Sequence, residues 1–419
     1  MSAANYLEAA DKLGARLCRD ALWSSELCNW LGNFMEFVDP EWQVVNHLLG
    51  PDLYSGTAGV AVFLARLFAY TGNELFRKTA YGAIRLSLSQ IDKFDPAQQF
   101  GLYSGLTGVA YALTEMGALL DDESLVTQGL DFLAEIVDID PSPTQGWDVI
   151  SGSAGVIPVL LRFHACYGEA FLLDAALRHG DLLLHAAHQS AGQSEAGWSW
   201  KTSYDSDTQN FTGFSHGTAG IAWALAELYG KSGEDRFLQA ARKAISYERR
   251  WYDSLQKNWP DFRLPAENGT RLCASAWCHG APGIGLSRLR ISRLLHDSDC
   301  LAEAQIAIYT TTQGLRDALN QRTSTVAGNY SLCHGHFGNG ELLIEARDLP
   351  GSPSDMAALH RLAGFALKTH HESDAPWPCG VLNGGETPNL MLGLAGIGYF
   401  FLRLHDPDNT ESVLLIGPE

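Results

Sequence analysis

Seven apolar stretches recur along the chain, and each begins with a G-x-x-G motif. After the motif comes a run rich in Ala, Leu, Val and Ile with few charges, as in GTAGVAVFLARL. A helix that is apolar on nearly every side is predicted to be buried. The pivotal first glycines of the motifs are Gly56, Gly105, Gly152, Gly217, Gly280, Gly335 and Gly393.

Between the motifs lie helical stretches of a second kind, which are amphipathic. Examples begin at Asn73, Glu234 and Ser354. Their apolar residues recur at helical spacing and line one face, so these helices are predicted to lie outside the buried ones. No stretch shows sustained β alternation with hairpin turns. The repeated unit is therefore predicted to be loop, buried helix, loop and exposed helix, seven times over.

Seven such pairs favour an all-α fold, an α/α toroid with about seven inner and seven outer helices. An open solenoid is the alternative, but it needs polar capping repeats at its ends, and the motif at Gly393 is as apolar as the middle ones. Residues 1–419 are therefore predicted to form one domain. The glycines permit unusual backbone angles and close approach. If the inner helices all begin on one side of the ring, their dipoles make that opening locally positive.

The composition limits the partners and the location of the protein. Of its 419 residues 46% are hydrophobic and 18% charged, which is typical of a globular protein with a large core. A formal net charge of -19 disfavours nucleic acid and anionic membranes as partners. The N-terminus lacks the apolar run of a signal peptide, and no stretch is long enough for a membrane span. We therefore expect a cytoplasmic protein, in which the eight cysteines do not form a disulfide scaffold.

In three neighbouring repeats, the serine filler beside the pivotal glycine gives way to cysteine and histidine. The changed residues are His216, Cys278, His279, Cys333 and His334. Equivalent positions of neighbouring repeats meet at one opening of a ring, so these side chains are predicted to converge. Cysteine and histidine are zinc's preferred ligands, and a catalytic zinc takes three protein ligands and keeps one position open. Two Cys-His-Gly triplets at equivalent positions disfavour the alternative of ordinary buried thiols and histidines.

The pattern therefore predicts one zinc ion per chain, bound by Cys278, Cys333 and His334. Such an ion deprotonates an incoming thiol at neutral pH, so the predicted reaction is addition of, or substitution by, a thiolate. His216 is the candidate for proton transfer, because histidine titrates near neutrality. Asp148, in the preceding repeat, either orients His216 or is a capping or loop carboxylate.

One further histidine position stays open at this stage. His279 either lines the substrate pocket or makes a supporting hydrogen bond.

At these motifs the sequence resembles the lanthionine synthetase C-like family, over essentially the whole chain. The motifs are SHG at Ser215, WCHGAPG at Trp277 and LCHG at Leu332. The flanks look most like the C-terminal cyclase domain of class II (LanM-type) synthetases. The resemblance implies an α/α toroid and Michael addition of peptide cysteine thiols to dehydroalanine or dehydrobutyrine, which forms lanthionine or methyllanthionine rings.

The resemblance also implies roles for single residues. The zinc ligands carry over to Cys278, Cys333 and His334, the acid/base histidine to His216, and the aspartate before the third motif to Asp148. The partner it implies is a dehydrated precursor peptide. Nothing in this sequence resembles the large N-terminal dehydratase domain of class II synthetases. The chain is therefore expected to be either an excised or split-off cyclase domain or a stand-alone protein. A stand-alone protein is expected to need a substrate dehydrated by another polypeptide.

The sequence departs from the family's pattern at two places. Some members carry an arginine four residues before the first zinc cysteine, where this chain has Ala274. Arg271 is near this place but out of register, and the resemblance makes it a candidate for the substrate pocket. The stabilisation of an enolate then falls to Arg271, to helix N-termini or to nothing. Some members carry a tyrosine where this chain has His279.

Three other functions are weighed against the cyclase. The first is an enzyme of the same superfamily that adds glutathione or another thiol to dehydroamino acids. The second is a non-catalytic, zinc-stabilised scaffold that binds a peptide or a partner enzyme. The third is an α/α-toroid glycosidase, which needs two carboxylates across a cleft, whereas the marked positions here are Cys and His.

Overall fold

The computed structural model describes residues 3–38, 40–95, 99–137, 139, 145–189, 197–202, 209–264, 266, 268–320, 328–352 and 354–418. Within these residues the α-helices, numbered in chain order, are α1 (Ala3–Asp20), α2 (Thr57–Thr71), α3 (Glu74–Leu88), α4 (Leu106–Leu120), α5 (Glu123–Val137), α6 (Ser153–Tyr167), α7 (Ala170–Ala186), α8 (Thr218–Ser232), α9 (Asp235–Arg250), α10 (Ala281–Leu295), α11 (Ser298–Asn320), α12 (His336–Glu345), α13 (Met356–Ala366) and α14 (Leu394–His405). A 3₁₀ turn spans Ile91–Lys93, and a π-helical turn, Leu367–His371, continues α13. None of the described helices has the length and apolar character to cross a membrane.

The helices form two concentric rings, which confirms the predicted α/α toroid. The even-numbered helices form the inner ring, in which each packs against the next, and α14 packs against α2 to close it. The odd-numbered helices form the outer ring, and each packs on an inner helix. The outer partner of α14 is α1, so the first and last helices of the chain meet where the ring closes. This contact excludes the open solenoid.

The inner helices are buried on all sides, as their composition predicted. In α8, every residue from Thr218 to Leu228 is buried. The outer helix α9 buries one face only, through residues at helical spacing such as Phe237, Ala241 and Ala244. The apolar contact between the two rings is the core of the protein.

The second glycine of each G-x-x-G motif is required because the backbone of the preceding loop lies very close to it. In all seven repeats a Cβ at this position would lie 1.7–2.2 Å from the carbonyl oxygen of the residue six positions earlier. The predicted need for unusual backbone angles holds at only one of the pivotal first glycines. Gly280 has φ of 90°, whereas the other six are extended, with φ from -133° to -103°.

Antiparallel β-hairpins are present, although the sequence shows no sustained β alternation with hairpin turns. They pair β1 (Leu22–Ser24) with β2 (Leu27–Asn29), β3 (Leu31–Val38) with β4 (Glu41–Leu48), and β5 (His188–Gln189) with β6 (Trp198–Ser199). The sequence does not predict the long β3–β4 hairpin because most of its side chains are exposed on both faces. A strand without a buried face does not need alternating apolar and polar residues, so the usual sign of a strand is missing. Its base is anchored where the Asn33 side chain donates to the carbonyl oxygens of Gly384 and Glu386.

Candidate functional site

A closed belt of backbone hydrogen bonds joins the seven motif loops where the inner helices begin. In each bond an N–H in one loop donates to a carbonyl oxygen in the next. The donor and acceptor pairs are Tyr54 to Tyr103 (2.9 Å), Tyr103 to Ile150 (3.0 Å), Val149 to Ser215 (3.0 Å), Ser215 to Cys278 (3.2 Å), Cys278 to Cys333 (3.2 Å), Cys333 to Met391 (3.0 Å) and Met391 to Tyr54 (2.9 Å). The belt holds equivalent motif positions in one layer, and two of its members are the cysteines of the predicted metal site.

The structure brings Cys278, Cys333 and His334 together. One candidate ligand atom from each side chain lies within 4.8 Å of the others. Both cysteines are buried, whereas His334 is exposed. His334 Nε2 lies 2.8 Å from the carbonyl oxygen of Gly380. A carbonyl oxygen only accepts, so Nε2 carries the ring proton and Nδ1 keeps its lone pair, which is the arrangement of a metal-binding histidine.

The donor set fits zinc. Two sulfurs and one imidazole nitrogen are ligands that zinc prefers, so Cys278, Cys333 and His334 would hold the ion. The interaction with Cys333 lowers the pKa of Cys278, while the same interaction and burial raise the pKa of Cys333.

His216 and Asp148 form a hydrogen-bonded pair beside the cluster. His216 Nδ1 lies 2.7 Å from Asp148 Oδ2. The other oxygen, Oδ1, accepts from the backbone N–H of Ser151 at 2.7 Å and from its hydroxyl at 3.0 Å, which fixes the carboxylate. Burial of the His216 ring lowers its pKa, but the charge and hydrogen bond of Asp148 outweigh it, so the net shift is upward. Because Nδ1 is bound to Asp148, Nε2 is the nitrogen left for chemistry.

An open cavity of about 390 Å³ lies against His216. Its lining residues are Pro51, Asp52, Tyr54, Ser55, Lys93, Phe94, Asp95, Ser104, Ile150 and His216. Tyr54 connects the cavity with the metal cluster, because its hydroxyl is a hydrogen-bond partner of Cys333. The cavity can therefore hold a group of a bound molecule beside His216 and Tyr54.

His279 lies beneath this surface rather than on it. Its side chain is 1% exposed, its ring centre is 6.0 Å from that of His216, and its Nδ1 is 3.9 Å from Asp261 Oδ1. Burial, with the nearby charge of Arg263, lowers the pKa of His279 to about 3, so the ring is neutral. The burial of His279 argues against direct contact with a substrate, while its 3.9 Å separation from Asp261 is too long for the alternative of a supporting hydrogen bond to that carboxylate.

Arg271 is not drawn into the cluster. Its guanidinium lies over the rings of Trp251 and Phe262, at 5.4 and 4.9 Å from their centres. Ala274, where some family members have arginine, is held by its backbone. Its carbonyl oxygen accepts from the Asn258 side chain at 3.0 Å, and a Cβ on Gly280 would lie 1.9 Å from the same oxygen.

The sequence reasoning missed Tyr54, which lines the cavity and contacts Cys333, and Arg263, which binds Asp261 near His279. Tyr54 was detectable, because it occupies the same place in its repeat, two residues before the pivotal glycine, as Cys278 and Cys333 do in theirs. Arg263 lies in an irregular loop between α9 and α10, outside any repeat, so no spacing pattern points to it.

Comparisons with known proteins match the chain to a family and to a fold. A family model described as lanthionine synthetase C-like protein matches residues 47–415. Lacticin 481/lactococcin biosynthesis protein LcnDR2 of Lactococcus lactis is 22% identical over 94% of this chain, which spans only 40% of that relative's length. Glutathione S-transferase LANCL1 of Danio rerio is 22% identical, over 85% of this chain and 83% of its own. Among solved structures, nisin cyclase has a TM-score of 0.63 at 19% identity, over 86% of this chain and 89% of its own, a likeness of fold.

Proposed function

The chain belongs to the lanthionine synthetase C-like family, and we propose that it adds a cysteine thiol of a dehydrated peptide to a dehydroamino acid in the same peptide. The product is a thioether ring. The observation that carries the proposal is the cluster of two cysteines and one histidine beside a histidine–aspartate pair, at an open cavity. Relatives named for the biosynthesis of lacticin 481 and of nisin support the same class of reaction.

The proposed metal ligands are Cys278, Cys333 and His334. When bound, zinc supplies a Lewis acid that lowers the pKa of a thiol at its open position. The chain's own residues prepare this site. The belt fixes the two cysteines through their backbones, and the carbonyl of Gly380 orients His334.

We assign proton transfer to His216. Asp148 holds the ring through Nδ1, so Nε2 takes the thiol proton and returns it to the α-carbon of the acceptor. The carboxylate also raises the pKa of His216, which suits a group that must hold the proton between the two events. In total an S–H bond and the π bond of C=C break while C–S and C–H bonds form, so the addition needs no oxidant or reductant.

A peptide with one dehydroalanine and one free cysteine tests the proposal. The zinc-loaded protein is expected to consume the thiol without a change of peptide mass, since ring closure is an isomerisation. The measurement is the loss of maleimide-reactive thiol, followed by mass spectrometry. His216→Asn is expected to slow the reaction by about 10²-fold or more. The control, His185→Asn, lies exposed on the outer helix α7 and leaves the rate unchanged. Thiol loss no faster with wild type than in buffer contradicts the proposal.

A second candidate acts on a thiol that is not part of the peptide. It is favoured by the relative named as a glutathione S-transferase, of which this chain covers 83%. The same assay separates the two candidates when the peptide lacks cysteine and glutathione is supplied. A gain of one glutathione per dehydroalanine, with no ring closure in the cysteine-containing peptide, assigns the second function.

A further inference from the structure

The repeat relates the His216–Asp148 pair to a second pair of positions in the same cavity. Asp148 lies four residues before the pivotal glycine of the third repeat, and His216 lies one residue before that of the fourth. The same places in the first and second repeats hold Asp52 and Ser104. Both of these residues line the cavity that His216 lines. The first two repeats therefore carry the carboxylate of the pair without its imidazole.

The carboxylate of Asp52 is held as that of Asp148 is. Asp52 Oδ1 accepts from the backbone N–H of Ser55 at 2.6 Å, and Asp148 Oδ1 accepts from the backbone N–H of Ser151 at 2.7 Å. The second oxygens differ in their surroundings. Asp148 Oδ2 lies 2.7 Å from the His216 ring, whereas Asp52 Oδ2 lies 3.3 Å from the Ser55 hydroxyl, which is also 3.3 Å from Oδ1.

Ser104 is too short to take the part of a histidine. Its side chain ends at Oγ, which donates to the carbonyl oxygen of Ile150 at 3.3 Å. Asp52, Ser55 and Ser104 are each partly exposed, and all three line the cavity. A bound molecule can therefore occupy, beside Asp52, the place that an imidazole fills beside Asp148. A carboxylate accepts hydrogen bonds, so the group that binds there is a donor.

A peptide amide has the shape and the hydrogen-bonding character of the imidazole that it would replace. Both are flat groups that present an N–H in their own plane, and the backbone supplies one such group at each residue except proline. The cavity also holds His216, to which proton transfer is assigned. An N–H held by Asp52 therefore lies in the same cavity as the residue that acts on the peptide.

We propose that Asp52 is a specificity-determining residue of the substrate site, whose Oδ2 accepts a backbone N–H of the dehydrated peptide beside Ser104. This inference rests on the proposed function, because it takes the ligand to be the substrate peptide. The contact holds the acceptor residue against His216 and takes part in no covalent step.

The inference is tested by the binding of a fluorescent peptide that contains dehydroalanine and no cysteine, so that no ring closes. Asp52→Asn is expected to raise the Kd by about 10- to 100-fold, because a hydrogen bond to a charged acceptor is lost. The turn is expected to survive, since Asn389 holds the same place in the seventh repeat and accepts from the Leu392 N–H at 2.9 Å. The matched control is Asp297→Asn, which should keep the wild-type Kd. Asp297 likewise accepts the N–H three residues on, from Cys300 at 2.9 Å, but in the loop between α10 and α11.

Two substitutions at Ser104 separate the space beside Asp52 from the serine hydroxyl. Ser104→His places an imidazole where the peptide amide is proposed to bind, and it is expected to raise the Kd at least as much as Asp52→Asn does. Ser104→Ala keeps the space open and is expected to raise the Kd far less. Urea unfolding of each variant confirms that the protein measured is folded.

Ester substitution in the peptide identifies the donor. The N–H groups of the dehydroalanine and of its two neighbours are replaced in turn by an ester oxygen. One ester is expected to weaken binding to the wild type by about 10- to 100-fold and binding to Asp52→Asn very little, because that variant has already lost the bond. Each ester is compared between two proteins, so its own chemical effect cancels.

Each outcome decides the inference. A wild-type Kd in Asp52→Asn, equal losses in Ser104→Ala and Ser104→His, or esters that weaken both proteins equally overturn it. A loss confined to peptides with lysine or arginine assigns a cationic partner to Asp52 and overturns it as well. Because binding is measured without ring closure, a wild type that binds the peptide through Asp52 but consumes no thiol contradicts the proposed reaction and not the contact.

Discussion

In the sixth repeat, the position of two proposed metal ligands depends on a close contact between the backbone of helix α12 and the backbone of the loop before it. In the sixth repeat, a Cβ on Gly338 would lie 1.7 Å from the carbonyl oxygen of Leu332, and real Cβ atoms essentially never come closer than 3.0 Å. Gly338→Ala must therefore separate helix α12 from the preceding loop by at least 1.3 Å, the difference between those distances. Leu332 directly precedes Cys333 and His334, so the displaced segment is the one that carries two proposed ligands.

The magnitude follows from packing and from metal geometry. Overpacking of this kind costs about 3 kcal/mol of the free energy of unfolding. Metal sites tolerate changes of about 0.2 Å in ligand distance, so a displacement several times larger is expected to abolish tight zinc binding. Both effects arise from one added methyl group.

Two glycine variants make the result specific. Gly108→Ala repeats the clash in the second repeat, 2.0 Å from the Leu102 oxygen, and should destabilise the protein to a similar degree while zinc is retained. Gly230→Ala, in α8, meets no heavy atom closer than 3.6 Å and should stabilise by about 0.5–1 kcal/mol. The assays are urea unfolding and zinc retention against a chelator. A Gly338→Ala protein with wild-type unfolding and wild-type zinc refutes the reasoning.

Two further substitutions test the proton carrier and the core. The His216–Asp148 pair contributes stability that is present below the ordinary histidine pKa of 6.5 and is lost as the pH rises through the raised value. In Asp148→Asn, the limb of the pH–rate profile that reports His216 should move to lower pH, because burial of the ring is then unopposed; an unmoved limb contradicts the pairing. Leu414, 1% exposed, lies in the C-terminal segment, and its carbonyl accepts from the Trp277 indole at 3.1 Å. Leu414→Ala should lower the free energy of unfolding by about 2–5 kcal/mol, whereas Leu255→Ala, 94% exposed, should change it by less than about 0.5 kcal/mol, and equal urea midpoints contradict this.

The ring was predictable because its cause is repeated in the sequence. Every inner helix needs a close approach at its start and an apolar surface all round, and both requirements leave a mark at the same place in each repeat. The equivalent positions of Cys278 and Cys333 in their repeats also predicted that these two side chains lie close together. Helix α1, which precedes the first motif, packs on α14 where the ring closes. Because these helices lie at opposite ends of the sequence, no local pattern predicts their contact.

The parts that escaped prediction lack a repeated physical cause. The β3–β4 hairpin is exposed on both faces, so nothing selects an alternating pattern. Arg263 lies in a loop whose path depends on its bond to Asp261 rather than on any periodicity. Arg271, one of the alternatives for stabilising the enolate, lies on Trp251 and Phe262, because nearness along an irregular loop does not fix the direction of a side chain.

Zinc content, by elemental analysis, tests the central claim most directly. The wild type should contain about one zinc per chain, and Cys278→Ala and Cys333→Ala should each lose it. Cys300→Ala, which removes a buried thiol from the outer helix α11, should keep it. A protein without zinc, or with zinc that survives both ligand substitutions, contradicts the metal site and the thiol activation built on it.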